Sequence, residues 1–81
     1  MNRQEIVDQI KAEIEEITDI PKEDMEENSA LMDDLELSSL EIMTMIADVE
    51  ILFKRRIPES ALRNFITIGD IADFLELYGK N

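Results

Sequence analysis

Apolar residues recur near the start of the chain at Ile6, Val7, Ile10, Ile14 and Ile17, separated by charged and amide side chains. That is the three-to-four-residue spacing of a helix with one buried face, and it predicts a first helix over about residues 3 to 18. Asn2 and Glu5 form an N-x-x-E capping box in front of it, each side chain serving a backbone N–H that the helix leaves free. Pro21 marks the exit, because it has no N–H to donate and turns Ile20 away from helical angles. A second periodic run, Ile42, Met45, Ile46, Val49 and Phe53, follows the S-x-x-E box of Ser38 and Glu41. It predicts a helix from Ser39 to about Phe53 or Lys54, with Leu40, Met43, Ala47 and Ile51 on an outer side that is unusually apolar. A third run uses Ile68, Ile71, Ala72, Leu75 and Tyr78, with Thr67 and Asp70 at its start and Gly79 able to stop it. Pro58 suits the first position of a short helical turn over residues 58 to 63.

Between the first two helices lies KEDMEENSALMDDLEL, with no sustained period. Met25, Leu31, Leu35 and Leu37 punctuate it and should pin it to the core. A connection of this length inside a compact domain is uncommon, and when ordered it is often functional. No strand-like alternation, repeat or low-complexity segment competes, so the predicted fold is all-α, a small three-to-four-helix bundle in one domain over 1–81.

Composition narrows the chemistry. A chain of 81 residues buries only about 60% of its unfolded surface, which leaves little room for a large enclosed active site. With 44% hydrophobic and 35% charged residues it is apolar enough to fold despite its charge. There is no cysteine and no histidine, which removes disulfides, thiolate metal clusters, cysteine nucleophiles and the usual general base. No acid–base or nucleophile–base set stands out, and no enzymatic activity is expected. The N-terminal segment lacks the apolar core of a signal peptide, and no run reaches the ~18 uninterrupted apolar residues of a membrane span. The expected location is the cytoplasm, and the expected state a monomer.

The net charge of -12 would repel nucleic acid phosphates and anionic lipid headgroups, so neither nucleic acid nor membrane is an expected partner. Docking partners should carry basic patches. The charge is uneven: residues 1–53 hold three bases against sixteen acids, and residues 54–81 five bases against four acids. Lys54-Arg55-Arg56 reads as a solvated helix end that complements the dipole. Asp24, Glu26 and Asn28 resemble the early ligands of a calcium loop, but Ser29 and Leu35 occupy its glycine and glutamate positions, so no dedicated metal site is predicted. Divalent ions should associate weakly, as charge relief.

DDLELSSLE, residues 33 to 41, carries the one candidate site. A cap needs a single hydroxyl, which Ser38 supplies, and Ser39 is left over. At the first helical position its oxygen lies beside free N–H groups, where the helix dipole favours a phosphodiester. With no histidine to activate it, Ser39 is a substrate for another enzyme rather than a nucleophile in its own right.

DDLELSSLE and the sequence that follows it resemble an acyl carrier protein over nearly the whole chain. Against the family motif D-L-G-x-D-S-L-[DE], the modified serine matches Ser39, followed by Leu40 and Glu41; F-x-x-x-I-P matches Phe53, Ile57 and Pro58, and T-[IV]-G-D matches Thr67, Ile68, Gly69 and Asp70. The resemblance implies a covalent 4'-phosphopantetheine arm on Ser39, drawn from coenzyme A, whose thiol carries acyl groups as thioesters. It implies a phosphopantetheinyl transferase and acyl-transferring and acyl-modifying enzymes as partners. They would recognise Leu40, Glu41, Met43, Thr44, Ala47, Glu50 and Ile51 on the second helix. A short acyl chain would shelter in the interior lined by the first, second and last helices. Fatty acid, polyketide and specialised lipid pathways all fit such a carrier.

Two positions depart from the motif, since Glu36 replaces its glycine and Ser38 its aspartate. Thr44 and Ile51 stand where fatty-acid members often have glutamate, a hint of more apolar docking. The alternative reading is a helical adaptor of the same fold that is never modified and acts by protein binding alone. Met43 can likewise be read as partner contact or as filling.

The crowding of acids yields a first prediction. Salt or millimolar magnesium should raise the thermal midpoint, because both screen like-charge repulsion. A midpoint that stays flat from low to moderate ionic strength in a thermal melt would rule out self-repulsion as a limit on stability.

Overall fold

The computed structural model describes residues 1–78 and places them in four helices: α1 Arg3–Thr18, α2 Ser39–Phe53, α3 Glu59–Leu62 and α4 Ile68–Tyr78. A 3₁₀ turn, Lys22–Asp24, lies early in the long connection. The cap of α1 is the expected reciprocal one: the Glu5 N–H donates to the Asn2 side chain at 2.9 Å and the Asn2 N–H to the Glu5 carboxylate at 3.0 Å.

α1 ends at Thr18, as the sequence predicts: the reversal comes at Asp19, in the left-handed region at φ 66°, with its N–H donating to the Glu15 carbonyl at 2.8 Å, and Pro21 precedes the 3₁₀ turn. One boundary differs from the sequence expectation. Pro58 is not the first helical residue of α3 but its cap, with extended backbone at ψ 153°, and its carbonyl accepts the Ala61 N–H at 2.9 Å. The proline ring sets φ but leaves ψ free, so it serves as well outside the helix as inside, and the turn spans 59–62 rather than 58–63. Gly79, expected as the stop of the last helix, lies outside the described residues.

The core is the one that periodicity picks out. Ile6, Val7, Ile10 and Ile14 of α1 face Met45, Ile46 and Val49 of α2 and Ile68, Ile71, Ala72 and Leu75 of α4, with no polar residue buried among the described ones. The four apolar punctuation marks of the long connection, Met25, Leu31, Leu35 and Leu37, are all buried in the same cluster. Side chains of this size are worth about 1.5–3 kcal/mol each when removed from water, enough to offset much of the entropy of ordering an irregular loop.

Backbone bonds then fasten this loop to the start of α4. The Leu31 N–H donates to the Ile66 carbonyl at 2.8 Å, and the Gly69 N–H to the Glu27 carbonyl at 2.7 Å. The second bond uses a donor that the start of α4 would leave unpaired. Gly69 permits the approach, since a Cβ there would lie 3.2 Å from the Glu27 carbonyl oxygen. Thr67 and Asp70 complete the cap as expected: the Asp70 carboxylate accepts the Ile66 and Thr67 N–H groups at 2.9 Å, and the Asp70 N–H donates to the Thr67 hydroxyl at 3.2 Å. Arg3 ties the same region from the side, donating to Glu27, Asp73 and Glu76 at 2.8–2.9 Å and so joining α1, the loop and α4.

Elsewhere acids meet without a base. Partial burial on α1, then the neighbouring charges of Asp48 on α2 and Glu16, push the Glu13 carboxyl above its usual 4.5. A raised folded-state value means that the native state favours protonated Glu13. This contribution to stability is full below the unfolded value and lost as pH rises through the folded one. Glu13→Gln should therefore melt higher than wild type at pH 7, with the gap closing below about pH 4. An equal gap at both pH values in thermal melts would show that repulsion at this contact is not its source.

Candidate functional site

The turn that delivers the two serines is built from residues 30–37. The Asp34 side chain accepts the Ala30 N–H at 2.7 Å, the Leu35 N–H donates to the Ala30 carbonyl at 3.0 Å, and the Leu37 N–H donates to the Leu31 carbonyl at 2.9 Å. Leu35 and Leu37 are both buried, and the residue between them, Glu36, takes the left-handed conformation at φ 55°. A side chain there costs roughly 1–2 kcal/mol that glycine would not. The motif's glycine position is thus a left-handed one, and Glu36 fills it under strain.

Beyond the turn the two serines separate by role. Ser38 is extended and its hydroxyl accepts the Glu41 N–H at 3.1 Å, while the Glu41 carboxylate accepts the Ser38 N–H at 2.9 Å. Ser39 is the first residue of α2 and is exposed. Among the described residues its hydroxyl makes no hydrogen bond, and the N–H groups of Ser39 and Leu40 have no acceptor. An exposed, unengaged hydroxyl beside two unpaired donors at a helix start fits a phosphodiester. No cluster of three metal-ligating side chains occurs among the described residues.

The other seven residues singled out on α2 divide into two groups. Leu40 and Ile51 are each 76% exposed and Met43 54%, with Ala47 and Thr44 also on the surface. The Thr44 hydroxyl donates to the Leu40 carbonyl at 3.0 Å. Glu41 and Glu50 are half-buried and already engaged, Glu41 in the cap and Glu50 by accepting the Ile57 N–H at 2.7 Å. What is left to a partner is largely an apolar stripe.

The interior between α1, α2 and α4 is filled by side chains such as Ile10, Met45, Val49 and Ile71, all fully buried. Space nearer Ser39 lies elsewhere. A cavity of about 150 Å³ opens beside Ile42, one helical turn from Ser39, and is bounded by Leu31, Met32, Phe65 and Ile66. Met32 and Ile66 are exposed at this cavity, and the sequence did not mark it, because neither residue belongs to a helical period.

Comparison with known proteins gives the family of the chain. The family model for the phosphopantetheine attachment site matches residues 8–75. The acyl carrier protein of Kineococcus radiotolerans is 30% identical over 91% of this chain and 91% of its own length. Those of Acidothermus cellulolyticus and Thermotoga maritima are each 29% identical over 93% of this chain, covering 89% and 93% of their own. The chain therefore belongs to the phosphopantetheine-dependent carrier family, and within it to the acyl carrier proteins. Members of this family are carriers, not enzymes, and bear a covalent 4'-phosphopantetheine.

The left-handed Glu36 yields the next prediction. Glu36→Gly should relieve the strain and keep the turn, with a net gain of about 0.5–1 kcal/mol after the greater freedom of glycine in the unfolded chain is subtracted. Denaturant unfolding that shows a loss instead would mean that the Glu36 side chain contributes contacts outweighing its backbone cost.

Proposed function

We propose that Ser39 bears the phosphopantetheine arm and that the chain, acting as a single carrier domain in the cytoplasm, passes thioester-bound acyl groups between biosynthetic enzymes. The observation that carries this reading is the unengaged Ser39 hydroxyl at the start of α2, next to a Ser38 already committed to the cap. The arm supplies the thiol that this cysteine-free chain lacks. The chain's own residues hold and present it. The free N–H groups of Ser39 and Leu40 would hold the phosphate of such an arm, and the buried leucines of the 30–37 turn hold the helix start in place.

With no histidine in the chain, a transferase must supply the base that removes the Ser39 proton. The acids around the site, Asp33, Asp34, Glu36 and Glu41, suit a basic patch on that enzyme, and the exposed stripe of α2 suits apolar docking by it and by acyl-handling enzymes. The cavity beside Ile42 is the space within reach of the arm for a short acyl chain. Fatty acid synthesis, or a related polyketide or specialised lipid pathway, is the setting we infer.

Incubation with coenzyme A, magnesium and a broad-specificity phosphopantetheinyl transferase should add the mass of one arm, mapped by peptide analysis to Ser39. Ser39→Ala should fold as wild type and gain nothing. Ser38→Ala should lose roughly 0.5–2 kcal/mol, the usual loss for a cap, and still accept the arm. An arm on Ser38 with Ser39 bare would overturn the assignment, and no arm on the wild type would favour the unmodified adaptor.

A further inference from the structure

The outer face of α2 is polarised by charge along its length. Asp33, Asp34, Glu36 and Glu41 surround its Ser39 end. At the other end, about 20 Å away at 1.5 Å per helical residue, Lys54, Arg55 and Arg56 follow in succession. The exposed stripe of Leu40, Met43, Ala47 and Ile51 runs between the two. Among the described residues no carboxylate forms an ion pair with any of these three cations: Glu50, which also lines one hollow at this end, accepts the Ile57 N–H, and the exposed Glu59, three residues beyond Arg56, makes no salt bridge to them. Two surface hollows meet at Arg55 and Arg56, one of about 440 Å³ walled by Ala47 and Ile51, the other of about 300 Å³ walled by Pro58 and Phe74. Unpaired guanidinium groups set beside apolar hollows are well placed to take carboxylates carried on an apolar surface.

Resting on the carrier reading, we propose that the cationic end of α2 is a docking anchor for an acidic patch on the partner enzymes. Such a partner presents basic groups where Ser39 enters and carboxylates about 20 Å farther along, with an apolar surface between them. The arrangement fixes orientation, because a carrier docked the other way round would set acid against acid and base against base. An anionic bilayer or a nucleic acid is a poorer match. A broad anionic surface laid along α2 would meet Asp33, Asp34 and Glu41 as well as the cations. A second copy of the chain also brings a charge of -12, and a stripe of four side chains falls short of the roughly 800 Å² per partner of a stable interface.

The test is an NMR titration of the full chain with a synthetic amphipathic helix bearing leucines on one face and glutamates beside them. Amide shifts should cluster at Ala47, Ile51 and residues 54–56. Affinity should fall about fivefold or more in the Arg55→Gln/Arg56→Gln double variant, as expected for two exposed ion pairs. A thermal melt of the double variant shows that it is folded. A peptide with lysine in place of glutamate should leave residues 54–56 unshifted. Equal affinity of wild type and double variant, or shifts confined to other parts of the chain, would overturn the proposal. So would tighter binding to phosphatidylglycerol-rich vesicles than to the peptide, or dimers in sedimentation that the double variant abolishes. Arm addition to the wild type is scored separately: an arm without peptide discrimination sinks the anchor alone, and peptide discrimination without an arm sinks the carrier reading alone.

Discussion

The site depends on how an irregular loop is held. Residues 22–37 contain one 3₁₀ turn and no longer helix, yet they must deliver Ser38 and Ser39 to a fixed place at the start of α2. Apolar anchors do this, with Met25, Leu31, Leu35 and Leu37 buried in the same cluster as the helices. The left-handed residue at 36 is the geometric condition for it, since an extended residue between Leu35 and Leu37 would not close the turn that the Leu37 N–H makes to the Leu31 carbonyl.

The same loop is held a second time, through its backbone, by α4. Donors that the start of α4 would leave unpaired find the carbonyls of Ser29 and Glu27, and Ile66 returns an acceptor to Leu31. One set of bonds thus satisfies two segments that would each carry unpaired groups alone. Arg3 adds a link from α1 with three carboxylates around one guanidinium; they hold its proton more tightly, and their worth is limited by the water that reaches them. The motifs around Ser39 and around Thr67 are distant in sequence but form one mechanical unit.

Charge and function follow from this scaffold. A chain without cysteine or histidine lacks the thiol nucleophile and the usual general base, and what it offers at the start of α2 is an exposed hydroxyl. Glu41 and Glu50 show that a carboxylate on α2 can serve the fold first, one as a cap and one as a brace for the turn after α2. That leaves the exposed face of α2 more apolar than its sequence suggests.

How much of this could be read without a structure depends on the range of the forces involved. Helix limits and caps are local, set by side chains within four residues of one another, so α1, α2 and both capping boxes were legible from Asn2, Glu5, Ser38 and Glu41. The buried stripes were legible because helical period and burial are linked, and the four loop anchors because an apolar residue in an acidic loop has few other uses. Pro58 misled by one residue at each end of α3, since a proline restricts one dihedral and leaves its neighbours free to place the boundary. Only the tertiary structure decided the rest. The bonds from Leu31 to Ile66 and from Gly69 to Glu27 join segments some forty residues apart, the Arg3 network joins three elements, and the cavity beside Ile42 is enclosed by parts of the chain with no common period. No local pattern encodes such contacts, because each depends on where the packed core brings the chain back to itself.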